Sequence, residues 1–262
     1  MAGKLLSFYA RSIPEHPAKI RIFKLLGMLW PGLVFSYDKN ARLTVILNDY
    51  IGHAICFKGS WEPQSLIAAL QTMQGHESKT FLDVGANHGI FSIVIGALSR
   101  CPVLAVEPNR KNHEILTRNI ALNKDLNVKT ISCAATAKRM GQVGLTFEGI
   151  GREAWTKIDN NGQSQSGERV EGRPLQEILE QEKCKQVRLM KIDVEGYELE
   201  VFKGLDWESP LAPEAIIMEC HPTEAEKLSF LTQKGYHPKT VDGKSIKGLT
   251  TYPEGNLLFE KT

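Results

Sequence analysis

Hydrophobic positions after residue 79 fall into short apolar runs that alternate with longer amphipathic stretches. The apolar runs predict strands at 80–84, 102–106, 127–132, 187–192 and 214–219. The amphipathic stretches predict helices at 89–99, 109–122, 174–183, 196–204 and 223–234. Strands that alternate with helices are typical of a mostly parallel sheet with helices on both faces. We therefore expect an α/β fold.

The end of the chain has a different pattern. Residues 246–251 and 256–260 predict two strands joined by a turn at 253–255. Strands joined by so short a turn form an antiparallel hairpin. We expect this hairpin to be an addition to the otherwise parallel sheet.

The beginning of the chain lacks the regular alternation. Residues 1–78 predict an extension of helices and short strands, with a strand at 42–47 and a helix at 62–73. Residues 79–262 then form the α/β domain. The polar stretch 159–167, rich in Gly, Ser and Asn, predicts an exposed loop.

The composition is that of an ordinary globular domain. Charged residues make up 24% of the chain, and Lys plus Arg number 32 against 30 for Asp plus Glu. Because nucleic-acid-binding domains carry a strongly basic face, we expect no nucleic acid partner. The five cysteines are scattered without a Cys-x-x-Cys pair, which favours a reducing cytoplasm. No apolar run reaches the roughly 20 residues that span a bilayer, so no stable membrane insertion is expected, and formation of a homo-oligomer stays open.

Four of the predicted strands end near an acid. These acids are Asp83, Glu107, Asp193 and Glu219. Parallel strands bring their carboxyl ends to one edge of the sheet, and open α/β sheets bind ligands outside that edge. A single acid after a strand is often a helix cap or a loop ion pair, but four at one edge favour a binding site.

The turn after the first of these strands indicates which ligand binds there. Gly85 and Gly89 allow a tight turn into a helix, and Glu107, about 20 residues later, suits the hydroxyls of a ribose. A dinucleotide-binding turn has G-x-G-x-x-G, but this turn has Asn87 at the middle glycine and the spacing G-x-x-x-G. Asp83 beside it suits an ammonium group better than a phosphate. The charges favour S-adenosylmethionine over NAD.

Several segments resemble the FkbM-type branch of the class I S-adenosylmethionine-dependent methyltransferases. The resemblance covers residues 79–260 and rests on FLDVGANHGIFS, AVEPNRKNHEILTRNIALN, MKIDVEGYELEVFKGL, IIMECHP and NLLFE. It implies a Rossmann-like fold with a seven-stranded, mostly parallel sheet and a C-terminal antiparallel hairpin. It also implies O-methylation of a hydroxyl or carboxylate on a sugar, natural product or other small molecule.

The resemblance also implies the residues that contact the cofactor. Those matching the family are Asp83, Gly85, Ala86, Asn87, Gly89, Glu107, Pro108, Asn109, Ala135 and Asp193. The turn after the first strand is expected around the methionine part, and Glu107 at the ribose. Ala135 falls in the third cofactor-contacting loop of the family, and no acid is present there to bind the adenine amino group.

Candidates for the general base follow the last two parallel strands. Asp193 and Glu195 follow the fourth strand, and Glu219 and His221 follow the fifth. Glu195 and His221 are alternatively caps of the helices that come next. Asp193, Glu219 and His221 also resemble an oxygen-rich site for Mg²⁺, but a metal is not favoured because Glu219 can instead bind an acceptor hydroxyl.

Together these features predict an S-adenosylmethionine-dependent O-methyltransferase for a small-molecule or glycosylated acceptor. The alternatives are an NAD-dependent oxidoreductase and a non-catalytic module that retains the cofactor fold. An RNA methyltransferase is disfavoured by the near-neutral charge. We expect acceptor specificity to lie in the N-terminal extension and in residues 149–170. Trp155 in that segment, together with Trp61 and Trp207 elsewhere in the chain, is a candidate wall of the acceptor pocket.

Overall fold

The structure, a computed structural model, describes residues 21, 25, 32–38, 41–46, 50–147, 156–159, 168–221, 224–246 and 254–261. The strands are β1 (Leu33–Asp38), β2 (Ala41–Val45), β3 (Thr80–Val84), β4 (Val103–Val106), β5 (Val128–Ile131), β6 (Ala134–Thr136), β7 (Met140–Phe147), β8 (Thr156–Asp159), β9 (Arg169–Pro174), β10 (Val187–Ile192), β11 (Ala215–Cys220), β12 (Tyr236–Thr240) and β13 (Gly255–Lys261). The helices are α1 (Tyr50–Lys58), α2 (Pro63–Met73), α3 (Ile90–Ser99), α4 (Arg110–Ala121), α5 (Leu175–Gln181), α6 (Glu198–Lys203) and α7 (Ala225–Gln233).

The central sheet has seven strands in the order β12-β13-β11-β10-β3-β4-β5. The five strands from β11 to β5 are parallel, and β13 runs antiparallel to both β11 and β12. β3 and β4 are buried along their whole length, as their continuous apolar runs predict for strands covered on both faces. The expected Rossmann-like sheet with a C-terminal antiparallel pair is confirmed.

The first arm of the C-terminal pair is not where its apolar pattern placed it. The sequence predicts a strand at 246–251, but β12 is formed by residues 236–240, and residues 247–251 lie outside the described part of the chain. Pro238 makes this segment look unlike a strand, because proline cannot donate to a ladder. β12 is the edge strand of the sheet, where a missing donor is tolerated.

A second, four-stranded sheet was not predicted. Its order is β6-β9-β7-β8, and it has a small core of Ala134, Val143, Leu145 and Val170. Part of the segment 149–170, to which acceptor specificity was assigned, therefore forms strands, namely β8 and the start of β9. Residues 148–155 and 160–167, which include Trp155 and most of the expected polar loop, lie outside the described residues.

Strand alternation gives the central sheet two chemically different faces. On β3, Leu82 and Val84 belong to the core beneath α5, α6 and α7. Phe81 belongs to the core shared with β2, α1, α2 and α3, and Asp83 points to the same side because side chains alternate along a strand. The acids of the site thus lie on the face that the N-terminal segment covers.

The described part of the N-terminal segment shares a core with the domain. Leu43, Ile55 and Leu66 pack in the same cluster as Phe81. The division of the chain into an extension, residues 1–78, and a domain, residues 79–262, stays a prediction. None of the described helices combines the length and apolarity required to cross a membrane.

Two asparagines, Asn119 on α4 and Asn123 just after it, hold the edge of β2. Asn119 Oδ1 accepts a hydrogen bond from Thr44 N at 2.6 Å, and Asn123 Oδ1 accepts one from Arg42 N at 2.8 Å. Asn123 Nδ2 donates in return to Arg42 O at 2.8 Å. These side-chain amides therefore satisfy backbone groups of β2 as a neighbouring strand would.

Candidate active site

A cleft lies at the carboxyl ends of β3, β4 and β10, where the four acids were expected. Around the expected cofactor position it is lined by Asp83, Gly85, Ala86, Asn87, His88, Glu107, Pro108, Asn112, Ala134 and Ala135. Its other lining residues are Ile51, Trp61, Ile90, Phe91, Leu145, Lys191, Asp193, Val194 and Glu195. Ala135 lies on β6 of the second sheet and not on a loop, so that sheet forms one wall.

The turn after β3 is held in a left-handed backbone conformation. Gly85 has φ +81° and Asn87 has φ +52°, a region in which Gly and Asn are the least strained residues. A Cβ on Gly85 would lie 1.9 Å from the carbonyl oxygen of Asp193. Gly85 therefore allows the turn to touch the loop that follows β10. Gly89 begins α3 at φ +83° and packs against Leu116 outside the cleft lining.

Glu107 is a buried carboxylate that joins the turn after β3 to the turn after β4. Its Oε2 accepts a hydrogen bond from Asn87 N at 2.7 Å, and its Oε1 accepts one from Asn109 N at 2.9 Å. Burial raises the pKa of Glu107 to about 7, although the hydrogen bonds from Asn109 and Asn87 act in the opposite direction. Two carboxylate oxygens offer about four acceptor positions, so Glu107 has capacity left for a hydroxyl group in the cleft. Asn109 itself caps α4 through Asn112 N at 3.0 Å and is fully buried.

Asp83 is the second buried acid. Its Oδ2 accepts a hydrogen bond from Ser92 Oγ at 2.6 Å. Burial raises the pKa of Asp83 to about 6, although the Lys191 ammonium acts in the opposite direction. A buried carboxylate that lines a cleft is stabilised by a ligand cation, which fits the expected ammonium group.

Lys191 is a site residue that the sequence analysis missed. It is only 4% exposed, and its Nζ lies 3.0 Å from Asp193 Oδ2 and 3.9 Å from Glu62 Oε2. The ammonium also lies 4.7 Å from the centre of the Phe91 ring. Burial disfavours its charge, but Asp193, Glu62 and Asp83 outweigh it and raise the pKa of Lys191. The available signal was a lysine inside the apolar run VRLMKI, two residues before an acid.

Glu62 brings the N-terminal segment into the site. It precedes α2 with φ 43° and accepts a hydrogen bond from Asn256 Nδ2 at 2.9 Å. Burial raises its pKa, and Lys191 acts in the opposite direction. Because Asn256 lies on β13, Glu62 joins parts of the chain that are 194 residues apart. No sequence motif indicated this contact.

The loop after β10 is fixed by Glu198 and not by Glu195, the residue considered as a helix cap. Glu198 Oε1 accepts hydrogen bonds from Val194 N at 3.2 Å and Gly196 N at 3.3 Å. Its other oxygen pairs with the buried Lys227 at 2.5 Å. Glu195, at φ 55°, lines the cleft and is not the cap of α6, whose N-cap is Tyr197. The capping alternative for Glu195 is therefore wrong.

Glu219 and His221 lie beyond the cleft lining. Burial, followed by repulsion from Asp193 and Glu62, raises the pKa of the Glu219 carboxyl. His221 is exposed, and its Nε2 lies 3.8 Å from Glu254 Oε1. Within the described ranges, no three His, Cys, Asp or Glu side chains are grouped closely enough to hold a metal ion. The roles expected for Glu219 and His221 stay predictions.

The two described tryptophans named as candidate walls have different places. Trp61 lines the cleft next to Glu62. Trp207 is buried in the core, where its Nε1 donates to Phe202 O at 2.9 Å and its ring packs edge-on against Tyr236. Trp207 is therefore a packing residue.

Comparison with known proteins agrees with this architecture. The family profile described as "Methyltransferase FkbM domain" matches residues 83–238. The methyltransferase sdnD of Sordaria araneosa is 29% identical over 157 residues, which cover 48% of this chain and 60% of that protein. Among solved structures, the METTL16 methyltransferase domain has a TM-score of 0.50 at 11% identity, covering 94% of this chain and 80% of that one. A precorrin-6y C5,15-methyltransferase from Geobacter metallireducens has a TM-score of 0.45 at 14% identity, covering 75% and 87%.

Proposed function

The chain belongs to the FkbM methyltransferase family, and on that premise we propose that it is an O-methyltransferase acting on a hydroxyl or carboxylate of a small-molecule, sugar or natural-product acceptor. Methyltransferases of this family use S-adenosylmethionine. The observation that carries the proposal is the meeting of three carboxylates, Asp83, Glu107 and Asp193, in one cleft at the carboxyl ends of parallel strands. NAD binding loses support, because the cleft carries carboxylates where a pyrophosphate needs donors.

The cofactor side of the cleft suits S-adenosylmethionine residue by residue. Glu107 retains acceptor capacity for ribose hydroxyls, and Asp83 is a buried anion for an ammonium group. Ala134 and Ala135 line the same cleft with small side chains that add no charge. When bound, S-adenosylmethionine supplies a methyl group on a sulfonium, which is a good leaving group.

The other side of the cleft suits an acceptor with an apolar body. Ile51, Trp61 and Phe91 supply aliphatic and aromatic surface there. Ile51 and Trp61 belong to the N-terminal segment, which supports the expectation that this segment sets acceptor specificity. Residues in the segment Asp193–Glu195 form the polar border of this surface.

Methyl transfer to a hydroxyl requires the chain to orient the acceptor and to accept its proton. Asp193 lines the cleft and is held by Lys191 at 3.0 Å, whereas His221 lies outside the cleft with Glu254. Asp193 is therefore the proposed general base. A carboxylate acceptor arrives already ionised and needs no base, so the presence of this acid favours hydroxyl acceptors.

Calorimetric titration with S-adenosylhomocysteine tests the cofactor part of the proposal, with NAD as a parallel ligand. Glu107→Ala should weaken binding, and the matched control Glu208→Ala, which removes an exposed acid, should not. Binding of NAD alone would support an oxidoreductase, and binding of neither would support a non-catalytic module.

Transfer of radiolabelled methyl from S-adenosylmethionine to a panel of phenols, sugars, carboxylic acids and RNA tests the acceptor part. Asp193→Asn should slow transfer by about 10²-fold or more, and His221→Ala should leave it unchanged. Transfer to RNA alone would contradict a small-molecule acceptor. A slow His221→Ala variant with normal Asp193→Asn would reassign the base.

A further inference from the structure

Lys191 lies in the middle of the acidic face of the sheet. In the strand register it is the neighbour of Asp83 on β3 and of Ile217 on β11, and Asp193 follows two positions later. Lys191 points to the same side as Leu189, which packs in the core shared with the N-terminal segment, and its hydrogen bond to Asp193 places that carboxylate on this side too. Lys191 is therefore a cation in the cleft lining, next to Asp83 in the strand register and hydrogen-bonded to the proposed base, Asp193.

The Lys191 ammonium has hydrogen-bonding capacity that the protein does not use. An ammonium group has three N–H donors. Among the described residues it makes one hydrogen bond, to Asp193 Oδ2 at 3.0 Å. Glu62 Oε2 at 3.9 Å attracts the charge but is beyond hydrogen-bond distance, and the Phe91 ring offers no lone pair. Buried donors left without an acceptor are costly, so a lysine that lines a cleft in this way suits an oxygen atom brought by a ligand.

Lys191 cannot itself take the proton of the acceptor. Three carboxylates, those of Asp193, Glu62 and Asp83, outweigh burial and keep its nitrogen protonated. Glu219 also faces this group of charges from β11. The residue is consequently a fixed positive charge beside the proposed base, Asp193.

We propose that Lys191 is a catalytic residue whose ammonium donates a hydrogen bond to the acceptor oxygen and stabilises the negative charge that this oxygen gains as it loses its proton. This inference rests on the proposed function. The hydroxyl proton passes to the Asp193 carboxylate. The acceptor oxygen forms its new bond to the methyl carbon with a lone pair, and the carbon–sulfur bond breaks with its electron pair on sulfur. Lys191 supplies the positive charge that a divalent cation supplies in metal-assisted methylation.

Ionisation of a bound phenol tests this role without requiring the natural acceptor. The protein saturated with S-adenosylhomocysteine is titrated with 4-nitrophenol over a range of pH, and the visible absorbance of the phenolate reports its ionisation. We expect the wild-type protein to lower the apparent pKa of the bound phenol. In Lys191→Met this pKa should rise by about 1–3 units relative to wild type, a 10- to 1000-fold loss of ionisation. Lys191→Arg, which keeps the charge, should retain part of the effect.

A matched control separates this role from simple charge balance. Lys79→Met removes another partly buried lysine that is paired with an acid, Glu214, at 2.5 Å but lies outside the cleft lining, and it should leave the phenol pKa unchanged. If Lys191→Met does not fold, Lys191→Gln, which keeps N–H donors without the charge, replaces it.

The outcomes distinguish the inference from the function on which it rests. Equal phenol ionisation in wild type and in the Lys191 variants would overturn the catalytic role, as would a wild-type protein that does not bind or ionise the phenol. Normal S-adenosylhomocysteine affinity in those experiments would leave the methyltransferase proposal standing. Failure of the wild type to bind S-adenosylhomocysteine would remove both.

Discussion

Replacing Gly85 by alanine is expected to displace the loop that carries the proposed base. The new Cβ would lie 1.9 Å from Asp193 O, and since real Cβ atoms essentially never come within 3.0 Å of such an atom, the Asp193 backbone must move. This movement breaks the hydrogen bond from Asp193 N to Val84 O, which is 3.0 Å long.

The cost has two parts that the structure separates. A left-handed alanine costs about 1–2 kcal/mol, and the lost backbone hydrogen bond costs about 1 kcal/mol more. The free energy of unfolding should therefore fall by about 2–3 kcal/mol, which lowers Tm by about 5–10 °C in a chain of this size. Because a base misplaced by about 1 Å is poorly aligned, the methyl-transfer rate should fall by about 10²-fold.

Gly75→Ala is the matched control. Gly75 has φ +76° and no atom within 4 Å of the added Cβ, so it has the conformational cost without the clash. Differential scanning calorimetry should show a smaller loss of Tm, of about 2–4 °C for each kcal/mol, and unchanged transfer. Equal losses of Tm and equal transfer rates in the two variants would refute the argument that Gly85 is required for contact with Asp193.

Three other predictions concern the buried charges. Glu107→Ala should weaken S-adenosylhomocysteine binding by about 1–3 kcal/mol, measured by calorimetry, because ribose hydroxyls lose their acceptor. Glu198→Ala leaves the Lys227 ammonium buried without its main partner and should destabilise the protein by about 3–5 kcal/mol in urea unfolding, whereas the double variant with Lys227→Met should recover part of that loss. Burial raises the pKa of Glu107 from 4.5 to about 7, so the folded protein retains a proton that the unfolded chain loses first, and this contribution to stability disappears as pH rises through that interval. As pH increases from 4.5 to 7, the unfolding free energy of Glu107→Gln should therefore rise by about 3 kcal/mol relative to that of wild type. A difference between the two proteins that does not change with pH would contradict the raised pKa.

The sequence predicts the middle of the central sheet well because β3, β4, β10 and β11 are mostly apolar. β3 and β4 are buried on both faces, so they can be identified without a polar–apolar alternation. β10 is likewise apolar except at Arg188 and Lys191. The second sheet is less visible, since Val143 and Leu145 alternate with glycine and polar residues and bury only a small core. β12 contains Pro238, and only its place at the edge of the sheet makes that residue acceptable.

The acids proposed to bind the cofactor and to act as base could also be predicted from the sequence, because they follow strand ends in chain order. Asp83, Glu107 and Asp193 were brought together as parallel topology requires. The residues around Lys191 could not be predicted in this way, because they depend on tertiary contacts between distant segments. Glu62 contacts Asn256, 194 residues away, and Lys191 has a charged environment only because the carboxylates of Glu62 and Asp193 lie next to it.

The contact between β2 and α4 has a consequence for synthesis of the protein on the ribosome. Arg42 emerges 81 residues before Asn123, the residue that completes its backbone hydrogen bonds. At a translation rate of about 5–20 residues per second, this delay is about 4–16 s. During that interval the edge of β2 lacks its two asparagine partners and is open to pairing with other nascent strands. Chaperone demand and the yield of recombinant protein should therefore depend on how quickly α4 is translated, which places part of the folding control in codons far downstream of the strand.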